Sequence, residues 1–413
     1  MAIGRSSRRA FLSAAAAVPV VFAGSGGFVR AKGRQLIIPS GANLLLRGIN
    51  LGNWLVPEGY MFGFEKTPTS AREIAALFNE LIGPEEGDKF WPQWRDAWIT
   101  ENDIGVIRDL RFNSIRIPFD YRLFPYPAFG LLDRVIGWCR AAKLYVILDL
   151  HCAPGGQTGT NIDNSWGWPW LWESKADQDQ TVELWRAIAK RYRDEPTVLG
   201  YDLLNEPIPN IPVLEKYNDR LEPLYKRIVA AVREVDRNHV VILGGAQWDS
   251  NFGVFGPPFD SNAMYTFHKY WTAPNVSVIK SYLDFRDKYN VPVWLGESGE
   301  NKNEWIAAFR GVLEQNNVGW CFWPYKKVGS EGCVMTAAKP PNWDAIIAYG
   351  RAAPASVGDQ ERIKMRPSLN ECRAAFSDLL RRVRCENCHM NEPYVRALGL
   401  GPVFRQPRPG PAT

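Results

Sequence analysis

Several residue types and patterns are scarce in this chain, and each scarcity narrows the range of functions. Only four of its 413 residues are histidines, and the one zinc-like cluster, Cys385, Cys388 and His389, has no obvious fourth ligand nearby. The formal net charge is +5, but lysine and arginine form no long run of the kind that follows phosphates, which argues against a nucleic-acid partner. With 46% hydrophobic and 23% charged residues, the composition differs from that of disordered or multi-span membrane proteins.

The chain also has no visible internal repeat and no glycine-rich phosphate-binding turn. An open, doubly wound α/β sheet is expected to carry such a turn after its first strand. The segment found there, "NLGNWLVPEG", does not have the required glycine pattern. This absence argues against a nucleotide-binding sheet.

The N-terminal segment has the features of an export signal. Arg8 and Arg9 precede an alanine-rich apolar segment that is too short to be a stable membrane span. The paired arginines resemble a twin-arginine signal, which predicts bacterial export to the periplasm or the extracellular space. We therefore expect residues 1–31 to be a signal peptide, cleaved after Ala23 or Ala31, and no membrane span to remain after its removal.

The seven cysteines are an odd number, so at least one thiol would stay unpaired within an exported chain. Two of them, Cys139 and Cys152, lie in apolar runs and are expected to be small core residues. Disulfides are conceivable among the others: Cys321 with Cys333, and Cys372 with Cys385 or Cys388.

The segment "CENCH", residues 385–389, matches the short pattern for covalent haem attachment. Chance matches to so short a pattern are common. In addition, this haem is attached to unfolded chains outside the cytoplasm, whereas a twin-arginine signal indicates export of a folded chain. A haem protein is therefore a remote alternative, and no other motif calls for a cofactor or a metal.

Beyond the signal, a hairpin-like segment leads into an alternation of short apolar runs and segments with the 3.6-residue spacing of helices. The eight apolar runs begin at Leu44, Asn113, Leu144, Val198, Val240, Met264, Val291 and Val318. Repeated βα units predict a parallel sheet, and eight of them predict a closed (β/α)8 or TIM barrel, which needs roughly 250 residues.

We expect this barrel to be a single α/β domain over residues 34–350, with long βα loops. The segment Trp54–Pro92 is predicted to be a long insertion after the first strand, and the connection after "VVILGG" lacks a convincing helix. Residues 351–413 contain one helix-like segment between a Pro/Ala-rich stretch and a Pro/Gly-rich tail. They predict a short helical appendage rather than a second domain.

Polar and aromatic side chains stand where the predicted strands end. In a (β/α)8 barrel the carboxyl ends of the strands form the active-site face, so these side chains are expected to meet there. They are Arg116, His151, Asn205, Glu206, His268, Tyr270, Glu297 and Trp323. Such a set is hard to explain by packing, because buried polar groups must satisfy one another. Asp149 and Asp202 lie deeper and are expected to anchor arginine or backbone groups.

Two of the strand-end residues, Glu206 and Glu297, suggest a paired-carboxylate mechanism, in which one carboxyl is protonated while its partner is ionised. Glycoside hydrolysis uses this arrangement. One acid protonates the departing oxygen, and the other carboxylate attacks or stabilises the oxocarbenium-like centre.

Seven ordered segments carry a family resemblance: "RGINLGNWL", "SIRIPF", "DLHCAPGGQTG", "YDLLNEP", "FHKY", "WLGESGE" and "CFWPYK". They extend from about Leu44 to Lys327 and resemble the strand motifs of glycoside hydrolase family 5, the large cellulase-type family. The resemblance implies a (β/α)8 fold and a retaining double displacement. Glu206 would be the general acid and then the base, Glu297 would be the nucleophile, and their carboxyls would lie roughly 5 Å apart.

The resemblance also implies roles for the remaining strand-end residues. Arg116 would hold Glu297 ionised, and Tyr270 would donate a hydrogen bond to the same carboxylate. Asn205 would bind the 2-hydroxyl of the reacting sugar. Three residues would line the subsite of that sugar: His151, His268 and Trp323.

Within the family, the segments "RGINLGNWL", "WITENDI" and "DLHCAPGGQTG" are most similar to the exo-β-1,3-glucanase branch. We therefore expect a β-glucan substrate, with exo-acting cleavage of β-1,3 links favoured and an endo-β-1,4-glucanase (cellulase) as the alternative. A non-catalytic sugar-binding barrel is a remote alternative, disfavoured because both Glu206 and Glu297 are present. No feature of the sequence indicates an oligomeric state.

A tryptophan-rich stretch, "NSWGWPWLWES", places an indole at every second position from Trp166 to Trp172. It belongs to a loop of roughly 25 residues after the third strand, and loops of that length are commonly functional. Indoles suit the flat faces of pyranose rings. We expect some of the four to contact sugar, with Trp166 and Trp168 favoured, and the others to pack within the loop.

Overall fold

The structure is a computed structural model that describes residues 27–352 and 354–401. The paired arginines Arg8 and Arg9 and the cleavage position Ala23 lie outside the described residues.

The strands fall into one closed barrel and two small three-stranded sheets. In chain order they are β1 (Arg30–Lys32), β2 (Gln35–Ile37), β3 (Asn43–Leu44), β4 (Arg47–Asn50), β5 (Ser114–Asp120), β6 (Tyr145–Cys152), β7 (Val198–Asp202), β8 (Val240–Gly244), β9 (Ala263–His268), β10 (Val293–Glu297), β11 (Gly319–Phe322), β12 (Lys326–Val328), β13 (Met335–Ala337) and β14 (His389–Met390).

The helices lie between the barrel strands and in the C-terminal part. In chain order they are α1 (Ala71–Ile82), α2 (Pro84–Trp98), α3 (Glu101–Asp109), α4 (Ala128–Ala142), α5 (Lys175–Tyr192), α6 (Asn218–Val235), α7 (Ala246–Asp249), α8 (Lys280–Tyr289), α9 (Asn303–Gln315), α10 (Trp343–Arg351), α11 (Pro354–Val357), α12 (Asp359–Met365), α13 (Leu369–Arg382) and α14 (Glu392–Ala397). Among the described residues, no helix combines the length and apolar character needed to cross a bilayer.

Strands β4 to β11 form the barrel, each parallel to its two neighbours, and Trp320 of β11 stands opposite Arg47 of β4 where the barrel closes. Each of the eight predicted apolar runs overlaps one barrel strand. The predicted (β/α)8 fold is therefore confirmed. As expected, the connection after β8 carries no long helix; it contains the four-residue turn α7 and a short 3-10 helix, Phe252–Val254.

Helix α6 shows how the sequence produces the outer layer of the barrel. Leu221, Leu224, Ile228 and Val232 recur every three or four residues, and all four are buried. Such spacing gives a helix one apolar face, which packs on the sheet while charged side chains face solvent. Burial of this face, rather than helix propensity alone, stabilises the layer.

The antiparallel sheet β1–β2–β3 closes the amino-terminal end of the barrel. Leu36 and Leu44 belong to one buried cluster with Ile147, Ile242 and Trp294 of the barrel strands. Because side chains fill this end, the carboxyl ends of the strands remain as the place for a site.

The expected end of the signal peptide at residue 31 conflicts with this sheet. Ala31 lies within β1, and its backbone N–H donates a hydrogen bond of 2.8 Å to the Asn262 side chain. Val29 is buried in the same cluster as the hairpin. Cleavage after Ala31 would remove most of β1.

The insertion after β4 and the C-terminal appendage pack together in one hydrophobic layer. Phe78 of α1 lies 4.5 Å, between ring centroids, from Phe376 of α13, and Trp343 of α10 lies 5.8 Å from the same ring. Strand β14 also extends the sheet formed by β12 and β13. The appendage therefore shares the core of the barrel domain.

All seven cysteines are free. Cys139 and Cys152 are buried core residues, as predicted. The conceivable disulfides are absent: Cys321 with Cys333, and Cys372 with Cys385 or Cys388. Cys321 packs inside the barrel, whereas the Cys333 thiol donates to the Met335 carbonyl at 3.0 Å outside it, so the fold separates that pair.

Candidate active site

A cavity of about 760 Å³ lies at the carboxyl ends of the barrel strands. The structure brings seven of the predicted site residues to its walls: His151, Asn205, Glu206, His268, Tyr270, Glu297 and Trp323. Arg116 lies beneath the cavity and is fully buried. These residues come from six different strands or the loops that follow them. The expectation that side chains at the strand ends meet in one site, here called the strand-end rule, therefore holds for them.

Arg116, on β5, organises the acids at the floor of the site. Its Nη1 donates to Glu297 Oε1 at 2.5 Å, its Nε donates to Asp202 at 2.8 Å, and its Nη2 lies 3.1 Å from Asp149. Burial lowers the pKa of this guanidinium, but the carboxylates around it raise the pKa further and leave it well above the usual value. Asp149 and Asp202 therefore anchor the arginine, as the sequence predicts.

Burial raises the pKa of both Asp149 and Asp202 to about 7, although Arg116 lowers each value. One guanidinium faces three carboxyls in this group, so it cannot compensate three full negative charges in an apolar interior. A proton shared among the deeper acids leaves more of the arginine's charge for Glu297.

Asn205 is fixed by contacts at both its side chain and its backbone. Its Oδ1 accepts a hydrogen bond of 2.9 Å from Arg116, and its backbone oxygen accepts one of 2.9 Å from Gln157. With Oδ1 occupied, the Asn205 Nδ2 group is the part that can donate toward the cavity. A donor held in place in this way is suited to a sugar hydroxyl.

Glu297, the last residue of β10, receives a donor on each carboxylate oxygen. Arg116 binds Oε1, and the Tyr270 hydroxyl donates to Oε2 at 3.1 Å. The residue is only 5% exposed. Hydrogen bonds from a cation and a phenol favour the ionised form, which can act as a nucleophile.

Glu206 has the opposite environment, since no lysine or arginine among the described residues is bonded to its carboxyl. Burial raises its pKa to about 7, and the charge of Arg116 offsets only part of that effect. Its backbone has a left-handed φ of 46°, in a sharp turn after β7, and its backbone N–H donates to Asp249 at 3.0 Å. A carboxyl with such a pKa can carry a proton at neutral pH.

His268 lies between the two acidic sides of the site. Its Nδ1 is 2.9 Å from Glu206 Oε1 and 3.8 Å from Glu297, and its Nε2 is 3.3 Å from Asp249. Burial lowers the pKa of His268 to about 3, so the imidazole is neutral at physiological pH. A neutral ring orients Glu206 by hydrogen bonding without adding a positive charge that would lower its pKa.

His151 and Trp323 form a stacked pair on the wall of the cavity, with ring centroids 5.8 Å apart and an interplanar angle of 9°. The Nδ1 atom of His151 is 2.7 Å from Asp149. Burial lowers the pKa of His151 to about 4, which also leaves this ring neutral. The pair presents an apolar surface suited to a sugar face.

The position of Trp323 is fixed from two sides. Its indole N–H donates to the Tyr60 hydroxyl at 2.6 Å. A side chain at Gly52 would place Cβ 2.6 Å from the indole ring, so only glycine allows this approach. The segment "GINLGN" therefore shapes the cavity through the absence of a side chain.

The two glutamates are close together. One oxygen of Glu206, one oxygen of Glu297 and a ring nitrogen of His268 lie within 4.8 Å of one another. This spacing is on the short side of the two carboxyl separations known for glycosidases, about 5–5.5 Å in retaining and about 6.5–9.5 Å in inverting enzymes.

Two groups of side chains in the site have donor atoms close enough to hold a metal ion: Asp149, His151 and Glu297, and Glu206, His268 and Glu297. In both groups, however, Glu297 is already bound by Arg116. A guanidinium at 2.5 Å from the shared carboxylate opposes the binding of a cation there.

Several residues in or beneath the cavity were not identified from the sequence. Asn50 ends β4, so the strand-end rule could have found it, and it accepts a hydrogen bond of 3.1 Å from Arg116. Glu58 and Tyr60 come from the insertion after β4, where that rule does not apply. The Oε1 atom of Glu58 is buried without a hydrogen-bond partner among the described residues, and burial raises the pKa of this carboxyl well above its usual value.

Neither Trp166 nor Trp168, the two indoles favoured for sugar contact, lines this cavity, so their contact with sugar stays a prediction. Arg72 covers Trp166 at 3.9 Å from the ring centroid, and Trp168 packs against the core beside Lys216. Trp172 is buried and donates to the Gln157 carbonyl at 2.8 Å. The alternation does not predict the side-chain directions, because Gly167, with a left-handed φ of 86°, interrupts the extended backbone between Trp166 and Trp168.

Comparison with known proteins identifies the family of the chain. Residues 79–329 match the model of the cellulase family, glycosyl hydrolase family 5. The chain belongs to glycoside hydrolase family 5. The predicted family and the assignment as a glycoside hydrolase are thereby confirmed, and the matched range contains seven of the eight barrel strands, from β5 to β11.

The relatives of this family 5 protein are named for different enzymatic activities. A β-xylosidase of Phanerodontia chrysosporium is 29% identical over 366 residues, which cover 76% of this chain and 74% of that protein. A probable glucan 1,3-β-glucosidase A of Emericella nidulans is 34% identical over 48% of this chain and 50% of its own length. Endoglucanase C of Acetivibrio thermocellus is 25% identical over 57% of this chain and 86% of its own length.

Solved structures support the fold. The rutinosidase of Aspergillus niger aligns with a TM-score of 0.57 at 18% identity, over 69% of this chain and 90% of that one. The catalytic domain of Thermobifida fusca endoglucanase Cel5A aligns with a TM-score of 0.51 at 19% identity, over 83% of this chain and 98% of that one. At such identities the likeness concerns the barrel architecture alone.

Proposed function

We propose that this glycoside hydrolase cleaves β-glucosidic bonds in β-glucans by a retaining double displacement. The observation that carries the proposal is the environment of the two glutamates. An oxygen of Glu206 and an oxygen of Glu297 lie within 4.8 Å of each other, yet one carboxyl is bound by Arg116 and the other has a pKa of about 7. Opposite protonation states in so small a space are what a nucleophile and a general acid require.

In the first step, a Glu297 oxygen attacks the anomeric carbon as the bond from that carbon to the leaving oxygen breaks. Glu206 gives its proton to the leaving oxygen. In the second step, Glu206, now ionised, takes a proton from water, and the resulting hydroxide displaces Glu297 from the anomeric carbon. The sugar retains its β configuration, and both carboxyls return to their starting states.

Arg116 and Tyr270 hold Glu297 in both steps, since each donates to one of its oxygens. Asn205 offers its Nδ2 group to the sugar 2-hydroxyl, a contact that strengthens in the transition state. The stacked rings of Trp323 and His151 support the face of the reacting sugar.

Exo-acting cleavage of β-1,3-glucan is the favoured specificity. It is supported by the motifs shared with the exo-β-1,3-glucanase branch and by the relatives named as probable glucan 1,3-β-glucosidases. Residues of two long loops, among them Tyr60 and Ile162, stand on the cavity walls. Long loops around a cleft favour a closed end, which an exo-acting enzyme needs.

An endo-β-1,4-glucanase is the second candidate. The relatives named as endoglucanases of Acetivibrio thermocellus support it, because 86% of their length aligns with this chain. Digestion of laminarin and of carboxymethylcellulose, with product lengths followed over time, separates the two candidates. The favoured specificity predicts glucose as the first product from laminarin and little cleavage of carboxymethylcellulose.

Early release of mixed oligosaccharides from carboxymethylcellulose would instead establish the endo-acting alternative. An aryl β-xyloside belongs in the same assay, because one relative is named a β-xylosidase. The Glu297→Gln variant is the control for contaminating hydrolases. If the wild-type protein cleaved no glycoside while remaining folded, the non-catalytic sugar-binding barrel would be correct.

We also propose that the enzyme is exported, on the basis of the pair Arg8 and Arg9 before an apolar segment. Replacing both arginines by lysine in a bacterial host with a twin-arginine pathway is expected to keep the enzyme in the cytoplasm. Activity in cell fractions measures the outcome, and unchanged export of the variant would contradict the proposal.

A further inference from the structure

A second cavity, of about 340 Å³, lies beside the tryptophan-rich loop. Its walls carry three arginines, one acid and two indoles: Arg72, Arg95, Arg122, Asp120, Trp91 and Trp166. None of these six residues is on the walls of the catalytic cavity. The helical insertion after β4 contributes one side, and the loops after β5 and β6 contribute the other.

The single acid on these walls is fully engaged. Both carboxylate oxygens of Asp120 accept from Arg122, at 3.2 and 3.0 Å, and one also accepts from the Asn164 side chain at 3.1 Å. Asp120 therefore compensates Arg122 and leaves the charges of the other two arginines without a carboxylate partner in this cavity.

One buried donor atom of Arg72 has no acceptor among the described residues. Its guanidinium lies over Trp166, 3.9 Å from the ring centroid, and its Nη1 is buried with no hydrogen-bond partner among the described residues. A buried donor without an acceptor costs free energy that an incoming acceptor would restore. The indole is 68% exposed, so the pair is accessible from solvent.

Arg95 adds a second guanidinium, which has only the more distant charge of Asp96 near it. In the part of the chain that the structure describes, its guanidinium has no ion pair, and the adjacent Asp96 is paired with Arg134 at 2.7 Å. Burial lowers the pKa of Arg95, a sign that its charge is partly removed from water. Two guanidinium groups thus line one cavity without an ion-paired carboxylate among the described residues.

We propose that this cavity binds a carboxylate-bearing sugar, a uronosyl unit, with Arg72 and Arg95 holding the carboxylate and the indoles of Trp91 and Trp166 bordering the pyranose ring. The guanidinium fork matches a carboxylate in a bidentate fashion, and indoles suit the C–H faces of pyranoses. The volume lies within the range of about 300–1,000 Å³ usual for small-molecule pockets.

The second cavity lies next to the catalytic cavity, so a glycan bound in one could reach the other. Asn164 and Trp166 line it, while Asn161 and Ile162 of the same loop line the catalytic cavity. An acidic branch or end of a glycan could be held on one side of the loop while a neutral part is cleaved on the other. The site goes beyond the proposed function, because it predicts a preference for acidic glycans that the catalytic residues do not require.

Binding of sodium D-glucuronate, D-glucose and sodium sulfate to the purified wild-type chain, by titration calorimetry, tests the proposal. Glucuronate is expected to bind at least about 10-fold more tightly than glucose, the effect of one or two charge-assisted hydrogen bonds. Arg72→Ala and Arg95→Ala are each expected to weaken glucuronate binding at least about 10-fold. Arg193→Ala is the matched control, since its exposed guanidinium pairs only with the adjacent Asp194 among the described residues, and it is expected to change nothing.

Equal binding of glucuronate and glucose, or glucuronate binding that survives both alanine variants, would overturn the proposal. Sulfate binding as tight as glucuronate binding would also overturn it and leave an inorganic-anion site. Arg72→Lys, which keeps the charge but loses the fork, provides a second variant in case an alanine variant does not fold. Cleavage of an aryl β-glucoside is expected to be unchanged in the arginine variants, so loss of this site and failure of the catalytic proposal give different results.

Discussion

Two glutamates a few ångströms apart are placed in different environments by the residues that touch them. Arg116 and Tyr270 donate to the two oxygens of Glu297. Glu206 is bonded by His268, whose own pKa of about 3 keeps it neutral. The different roles of the two glutamates thus depend on Arg116, which bonds to Glu297 and not to Glu206.

The first prediction concerns pH. Because the pKa of Glu206 is raised to about 7, the proton that it must donate is present below pH 7 and is lost above it. We expect kcat/KM for a glucan to fall as the pH rises through about 7. A pH–rate profile measures this limb.

The matched variant is Glu206→Gln, assayed with a dinitrophenyl glycoside whose leaving group needs no proton. Glucan cleavage is expected to fall about 10²- to 10⁴-fold, and the alkaline limb is expected to disappear for the activated substrate. An alkaline limb that persists in this variant would mean that another group, such as Asp249, controls it.

At the scale of elements, the barrel strands were predictable and the inserted helices were not predicted. Strands buried on both faces are short apolar runs, and their polar ends mark the active-site face. Helix α1 also carries a signal: Ser70 and Glu73 form a capping box before the spacing of Ile74, Leu77 and Leu81. This signal lies within the segment predicted only as a long insertion.

The side-chain directions in the loop after β6 could not be predicted from its sequence. A period of two predicts side chains on one face only in a regular strand, and Gly167 ends that regularity. The structure separates the indoles into Trp172, which is buried, and Trp166 and Trp170, which are exposed. Which side of a loop faces a cavity depends on contacts distant in sequence, such as Arg72 over Trp166.

The second prediction tests this division. Trp172→Ala is expected to lower the free energy of unfolding by about 3–5 kcal/mol, because it removes a buried indole and leaves a cavity. Trp170→Ala, in the same short turn but 47% exposed, is the matched control and is expected to change it by less than about 0.5 kcal/mol. Chemical denaturation measures both, and equal effects would mean that the loop is not packed as described.

At the scale of the whole molecule, the C-terminal segment belongs to the fold of the barrel domain. Helix α13 packs on α1 and α2 through Phe376, whose ring lies 4.5 Å from Phe78 and 5.3 Å from Phe90, between centroids. The sequence predicted a helix here but could not show its docking place, because its partners lie about 290 residues earlier.

The third prediction follows from this docking. Phe376→Ala is expected to destabilise the whole enzyme by about 3–5 kcal/mol, with a single unfolding transition. Leu369→Ala, on the same helix but exposed, is the control. An early, separate transition in calorimetry would contradict a shared core.

The fourth prediction concerns the thiols. Six cysteines are buried and Cys388 is partly exposed, all without disulfides. Titration with a thiol reagent is therefore expected to find seven reactive groups in denaturant and slow reaction in the native enzyme. Five or fewer groups in denaturant, without prior reduction, would reveal a disulfide.

Trapping of the covalent intermediate is the most direct test of the catalytic assignment. A 2-deoxy-2-fluoro-β-glucosyl fluoride is expected to inactivate the enzyme with one label per chain, and peptide mass spectrometry is expected to place that label on Glu297. Glu297→Gln should take up no label while keeping its fold. A label on another residue, or turnover without any covalent species and with inversion at the anomeric carbon, would contradict the retaining mechanism through Glu206 and Glu297.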